Sequence, residues 1–378
     1  MRIVNAEIIV LNIPMVKSLE VSFWSINNLK PIIIKLTDEL WNIGYWESIL
    51  LPFPMTHFEY FDTWLTTLEK FILPSIINKE IKIDEVKYFN VIEEFIELYS
   101  DVKLYEMTKV WVENAFIHIL SNRLDINIYK MFETKKTEIK TECCFWIPSN
   151  LEDYILDIDK ELKKWFEAVK LKISKWNDIE LIKLVREKFP NIQISLDANQ
   201  DYDLESFKKI VPIIDSHNIM QVEQPFKYDD FYSNIEIKKV MNTNLCIDES
   251  ITSLVNLKYY IDNNAIDVLN IKIWRVWWLY SAYKINKYCE NYNIWTWVWG
   301  LLETDLWRAF NLAIAWMNNT KYINDISVWD EFYSDYIWKE PSQIINWNIN
   351  IDMEINWIWF EVDEQKIRKY EINKIFIK

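Results

Sequence analysis

Glycine is almost missing from this chain, which has 2 Gly in 378 residues where a globular protein ordinarily devotes about 7% of its length to it. As written, the sequence has no GxGxxG or Walker loop to cradle a phosphate. Histidine is scarce as well. His57, His118 and His217 share no spacing for metal binding or a triad, and His118, inside a helical pattern, reads as packed core. The four cysteines, Cys143, Cys144, Cys246 and Cys289, lack zinc-site spacing. Two are adjacent, which suits neither a disulfide framework nor a CxxC motif, so they read as reduced core residues. No apolar run reaches the roughly 18 residues of a bilayer span, and Met1 to Val10 reads as a first strand rather than a signal peptide. The expectation is a cytoplasmic protein with no membrane partner. A formal net charge of −15 would repel phosphate backbones, so no nucleic-acid partner is expected either.

What replaces the missing glycine is tryptophan, with 21 Trp. Pooled, the two residue types make up about 6% of the chain, near the usual share of glycine alone. Trp41 before Asn42, and Trp176 in Lys175-Trp176-Asn177-Asp178, stand in turn-like polar stretches where glycine supplies φ > 0. Trp277 and Trp278 are adjacent, and Trp295, Trp297 and Trp299 alternate. Indoles at tight turns and close backbone approaches overpack a fold, at about 1–3 kcal/mol or more per site. Most of these Trp therefore read as standing for Gly, as happens when a gene in which UGA means glycine is translated with UGA as tryptophan. The alternative is a protein that is Trp-rich by nature.

With 51% hydrophobic and 26% charged residues, the rest of the composition is that of a soluble globular chain, long enough for two domains. Residues 1–130 mix strands with helices. Arg2–Ile13, Pro31–Leu36 and Ile43–Leu50 read as strands, and Thr56–Leu73 and Met107–Leu120 as helices, an α+β module. A charged, Thr-rich stretch, Met131–Lys140, marks the boundary. In residues 131–330 short apolar runs alternate with helical stretches, the pattern of βαβ units around a parallel sheet. The runs Ala168–Lys172, Ile192–Asp197, Ile219–Glu223, Leu245–Asp248 and Val268–Lys272 each end in a charged residue, and these ends recur every 24–26 positions. One strand, one loop and one helix fill such a repeat, so the five side chains are expected at one end of successive strands of a (β/α) barrel, the face where active sites are built. In residues 331–378, Gln343–Lys378 alternates Ile with Asn, Asp and Glu and reads as strand structure returning to the first domain.

Asp197, Glu223 and Asp248 would then converge above the barrel. Three unpaired carboxylates repel one another unless a cation sits among them, and a hard, oxygen-liganded ion such as Mg²⁺, or Mn²⁺ in its place, fits. For any one acid, capping of a helix N-terminus is the plainer explanation; the shared register favours the ion. Lys172 and Lys272 flank the acids on the strands to either side, and a lysine in such surroundings can serve as a base. Lys170, two residues before Lys172, shares its face and is assigned to holding a substrate carboxylate.

Five motifs carry a family resemblance: Lys170-Leu171-Lys172, Asp197-Ala198-Asn199, Val222-Glu223-Gln224-Pro225, Ile247-Asp248-Glu249-Ser250 and Asn270-Ile271-Lys272. In this order they resemble the muconate-lactonizing subgroup of the enolase superfamily over almost the whole chain. Trp299-Gly300-Leu301-Leu302-Glu303-Thr304, Ser22-Phe23-Trp24 and Gly44-Tyr45-Trp46-Glu47 resemble segments of its o-succinylbenzoate synthases and N-acylamino acid racemases. Trp24, Trp46, Trp274, Trp277, Trp278, Trp299 and Trp307 stand where that family carries Gly, whereas at Trp297 relatives often carry a true Trp. Asp305 replaces a family Gly. The resemblance implies a (β/α)₇β barrel under an N-terminal α+β capping domain completed by the C-terminal segment. It also implies a small carboxylate substrate, Mg²⁺ on Asp197, Glu223 and Asp248, and acid–base work by Lys172 and Lys272. Lys170, Asn199, Ser22, Phe23 and Glu303 would lie around the substrate. The expected outcome is dehydration, as in the synthases; racemisation and a catalytically silent scaffold are the alternatives, and homo-oligomerisation is left open.

Overall fold

A computed structural model describes the chain apart from residues 17–18, 22–23, 27–28, 50–53, 55–57, 135–137, 149, 165, 177, 277–278, 301–303, 327–332, 340–347 and 351–360, and apart from the side chains of residues 19–21, 24–26, 305 and 348–350. The first strand, β1 (Ile3–Leu11), is followed by β2 (Leu19–Val21) and β3 (Trp24–Ile26), which pair only with each other, and by β4 (Ile32–Asp38) and β5 (Ile43–Ser48). Helices α1 (Phe61–Thr67), α2 (Leu73–Ile76), α3 (Tyr88–Glu97), α4 (Glu106–Leu124) and α5 (Ile128–Met131) come next, then β6 (Glu138–Lys140). Ile32, Ile33, Ile34 and Leu36 are buried, and both edges of β4 are paired, with β1 on one side and β5 on the other, all antiparallel.

Within α4, Met107 through Ser121 are all buried. The helix lies between the cap sheet and the barrel, so no solvent-facing stripe is required of it. The helix expected over Thr56–Leu73 starts later among the described residues. It passes from α1 through a π turn, Leu68–Ile72, into α2. Pro74 explains the irregularity: its ring would clash with the carbonyl four residues earlier in a regular helix.

The barrel strands are β7 (Cys143–Phe145), β8 (Ala168–Lys172), β9 (Gln193–Asp197), β10 (Gln221–Glu223), β11 (Asn244–Ile247), β12 (Val268–Ile271) and β13 (Trp295–Val298). They form one sheet in chain order, with every strand pair parallel. Residues 320–325 complete the ring through isolated parallel bridges, Thr296 to Thr320 and Trp299 to Asp325 on one side and Thr141 to Asn324 on the other. Helices α6 (Leu151–Leu162), α7 (Asp178–Lys188), α8 (Leu204–Ser216), α9 (Phe231–Lys238), α10 (Leu254–Asp262), α11 (Leu279–Asn291) and α12 (Asp305–Ala315) alternate with the strands. In α8, Asp203 and Ser206 form a capping box, and Phe207, Ile210, Val211 and Ile214 make the buried stripe, at the spacing one helix face requires.

The tail holds β14 (Asn348–Asn350), which pairs with β6, then α13 (Glu364–Tyr370) and β15 (Glu371–Ile377), which joins the cap sheet beside β1. The return to the first domain is thus made by β15. The helix ahead of it departs from the strand reading, because Asp363 accepts the N–H groups of Gln365 and Lys366 and nucleates a turn. The four cysteines are free, Cys246 and Cys289 buried and Cys143 and Cys144 partly exposed. Among the described residues no helix is long and apolar enough to cross a membrane.

Candidate active site

Parallel pairing sets the level of the charged residues. Lys172 lies opposite Asp197, and Asp197 opposite Glu223. Asp248 and Lys272 are the first residues beyond β11 and β12. The five strand-end residues are therefore brought together at one end of the barrel, in the order Lys172, Asp197, Glu223, Asp248, Lys272.

Each acid has a defined partner. Lys172 donates to Asp197 Oδ2 and to Asn199 Oδ1, both at 2.6 Å. Asn199 holds φ at +39°, in left-handed space that asparagine tolerates better than most residues, and its backbone N–H donates to Asp197 Oδ1 at 3.0 Å. Glu223 accepts from Asn270 at 2.7 Å. Asp248 accepts from Lys272 at 2.6 Å and, through its other oxygen, from Arg275. Gln224 steadies Asp248 from below: its side-chain oxygen accepts the N–H groups of Asp248 and Ser250, and its amide donates to Ser250 Oγ and the Phe226 carbonyl.

Electrostatics separate the two flanking lysines. Burial opposes charge on Lys172, but the surrounding negative groups, Asp197 foremost, together outweigh it and the pKa is raised. At Lys272 burial prevails over Glu249 and Glu223, and the pKa is lowered. Burial also draws Arg275 down to about 9. Glu223 is raised, by burial and then by Asp197, whereas at Asp197 burial is overcome by the Lys172 and Lys170 charges together with hydrogen bonds from Lys172 and Asn199, and the pKa is lowered.

Lys170 is 1% exposed and lies 2.5 Å from Asp325 and 3.7 Å from Glu223. Its ammonium also sits 4.7 Å from the centre of the Trp297 ring. It therefore lies in the barrel interior below the strand-end residues. Trp297 is buried, and its indole N–H donates to Cys246 Sγ at 3.3 Å. Ser22, Phe23 and Glu303 lie outside the described residues. Asn270, Gln224, Arg275 and Asp325 were not singled out as site residues by the sequence reading. Asn270 and Gln224 stood inside quoted motifs, whereas Arg275 and Asp325 follow from three-dimensional placement.

Among the described residues no three acids gather closely enough to hold one ion in this arrangement; cations engage Asp197 and Asp248 instead. The donor set nevertheless fits a hard divalent cation. All three carboxylates are at most 2% exposed, they occupy one level on neighbouring strands, and Glu223 Oε2 is buried without a hydrogen bond. Buried oxygens of this kind need a compensating partner.

Residues 157–352 match the family described as enolase C-terminal domain-like. Over 336 residues this chain is 28% identical to the o-succinylbenzoate synthase of Listeria innocua, covering 89% of this chain and 86% of that one. It is 25% identical over 341 residues to the N-succinylamino acid racemase of Thermus thermophilus, covering 90% and 89%. An enolase-superfamily protein of Listeria innocua superposes with a TM-score of 0.90 at 26% identity, over 100% of this chain and 99% of that one. The muconate lactonizing enzyme of Pseudomonas putida shares the fold, with a TM-score of 0.84 at 14% identity over 98% and 100%.

Proposed function

This chain belongs to the enolase superfamily, and on that premise we propose that it is an o-succinylbenzoate synthase, the hydro-lyase that removes water from 2-succinyl-6-hydroxy-2,4-cyclohexadiene-1-carboxylate in menaquinone biosynthesis. The observation that carries this reading is the row of three buried acids with a lysine at each end. The names of several relatives support the synthase outcome.

Mg²⁺, or Mn²⁺ in its place, held by Asp197, Glu223 and Asp248, would supply positive charge where negative charge develops on the substrate carboxylate. Asp197 favours the Lys172 ammonium in the metal-free protein; with a divalent cation held by Asp197 that support would be lost, and neutral Lys172 would take the hydrogen on the carbon next to the substrate carboxylate. The electron pair left behind forms the new ring double bond as the C–O bond to the β-hydroxyl breaks. Lys172 returns its proton to the departing hydroxide, which leaves as water, so one lysine on one face serves both steps. Lys272, on the other face, is a cation during dehydration. We place the reaction in the cytoplasm.

The second reading, N-succinylamino acid racemase, is favoured by Lys272, because burial lowers its pKa as a second base requires. In the test, purified protein carrying Gly in place of the Trp residues other than Trp297 is offered, with Mg²⁺, the cyclohexadiene precursor or, in deuterated water, an N-succinyl amino acid. Formation of o-succinylbenzoate, lost on chelation and in Asp248→Asn, supports the synthase. Rapid racemisation with the precursor untouched replaces it with the racemase, and no proton exchange in either substrate leaves the silent scaffold.

A further inference from the structure

Lys170 is shared unequally by two carboxylates, the partly exposed Asp325 at 2.5 Å and the buried Glu223 at 3.7 Å. Asp325 lies on the segment that closes the barrel. Its N–H donates to the Val298 carbonyl at 3.2 Å, and its own carbonyl accepts from Gly300 at 2.7 Å. Next to it, Asn324 accepts Val298 N–H on its side chain at 2.8 Å and pairs with Thr141 across the ring. Asp325 thus reaches Lys170 from a backbone position pinned on both sides.

We propose that Asp325 is a positioning residue for the metal centre: it holds the Lys170 ammonium away from Glu223, so that the Glu223 carboxylate stays free to ligate a divalent cation. This rests on the metal set assigned above. Glu223 Oε2 is buried and makes no hydrogen bond, so an ammonium released nearby has every electrostatic reason to close on it. Without the Asp325 charge, Lys170 would occupy that oxygen and leave one more uncompensated positive charge beside the incoming ion. Lys170 therefore acts on the ion's ligand, and Asp325 acts through Lys170.

The test needs no substrate. Mg²⁺ and Mn²⁺ are titrated calorimetrically into the metal-free full-length protein carrying Gly at every Trp position except 297, and melting in chelator reports the fold separately. For Asp325→Asn the dissociation constant should rise about 10–100-fold, the usual size of such effects at groups that orient a metal ligand, while Asp325→Glu should stay near the parent. Lys170→Met should bind no more weakly than the parent, and in the double variant Lys170→Met with Asp325→Asn most of the affinity should return. A merely structural role for Asp325 would not be rescued by removing the lysine. Parent affinity in Asp325→Asn, a double variant as weak as Asp325→Asn, or a weakened Lys170→Met each overturns the inference. Should Asp325→Asn fail to fold, Lys170→Met alone still decides. A parent protein that binds neither ion would instead sink the metal assignment itself.

Discussion

The carboxylate of Glu47, on cap strand β5, accepts the backbone N–H of Thr304 at 3.1 Å and the Thr304 hydroxyl, at the start of barrel helix α12. Its other oxygen accepts the N–H of Trp307 at 2.7 Å. Helix starts leave N–H groups unpaired, and Thr304 makes no cap of its own; the cap domain supplies one. Glu113 of α4 does the same for α11, receiving Tyr280 N–H at 3.4 Å.

Replacing Glu47 by Ala should strand those donors in a buried interface and destabilise the protein by about 1–3 kcal/mol, with Glu47→Gln milder because it can still accept. Chemical denaturation checks this. Equal midpoints for Glu47→Ala and the parent would show that water or another group replaces the carboxylate.

The two flanking lysines should divide the chemistry. Lys172→Ala is expected to lower kcat for dehydration by about 10²–10⁴-fold, the usual contribution of a positioned acid–base group. Lys272→Ala should remove exchange on one face of an N-succinyl amino acid and leave one-sided exchange in deuterated water. Proton NMR of the α-hydrogen follows both. Two-sided exchange surviving in Lys272→Ala would take that lysine out of the proton-transfer role.

His118 makes stability depend on pH. It accepts Tyr45 N–H at 3.1 Å, and burial pulls its pKa from 6.5 to about 4. The folded chain keeps the neutral ring while the unfolded chain protonates near its ordinary value, so this stabilisation is complete above pH 6.5 and is lost as pH falls toward 4. About 2 kcal/mol should go between pH 7 and pH 5. His118→Gln should be less stable at pH 7 but lack that part of the decline. Denaturation at both pH values, run on both proteins, would refute this by showing equal losses.

The barrel was legible because its signal repeats. Five strand ends at near-constant spacing locate one another, and Lys172, Asp197 and Glu223 fall on matching register positions. Asp325 gave no such signal, since it lies on a segment held by isolated bridges instead of a regular strand. Arg275 was hidden for a related reason: it reaches Asp248 from the turn after β12, where no strand periodicity constrains it. The helix α13 was lost inside an Ile-rich alternation, which a single capping Asp363 overrode. Lys170 shows the limit of period-two reasoning. It places the side chain on the right face of β8, but depth within the barrel, which decides whether an ammonium meets substrate or a buried acid, depends on the other strands.

The tryptophans strain the fold at turns and in the core. Trp41 is held at φ +66°, a left-handed conformation that costs a non-glycine residue about 1–2 kcal/mol, and it and Trp176 are 81% and 93% exposed. Inside, the indole N–H groups of Trp46, Trp64, Trp111 and Trp274 are buried without an acceptor; each such donor costs about 1–3 kcal/mol. Gly44 shows what the cap strand needs here, since a Cβ on it would lie 2.2 Å from the Ala115 carbonyl. Trp46 is on the same face of β5, where a glycine would extend that close approach to α4. Trp297 differs, because its N–H is satisfied by Cys246 and its ring faces Lys170. A gene recoded with Gly at every Trp position except 297 should therefore give a soluble protein that melts cooperatively, while the literal sequence aggregates. Recoding position 297 as well should cost about 3–5 kcal/mol, as deletion of a large buried ring does. Equal solubility and melting of the literal and recoded proteins would show that the indoles are tolerated, and UGG codons at most of these positions would make them native tryptophans.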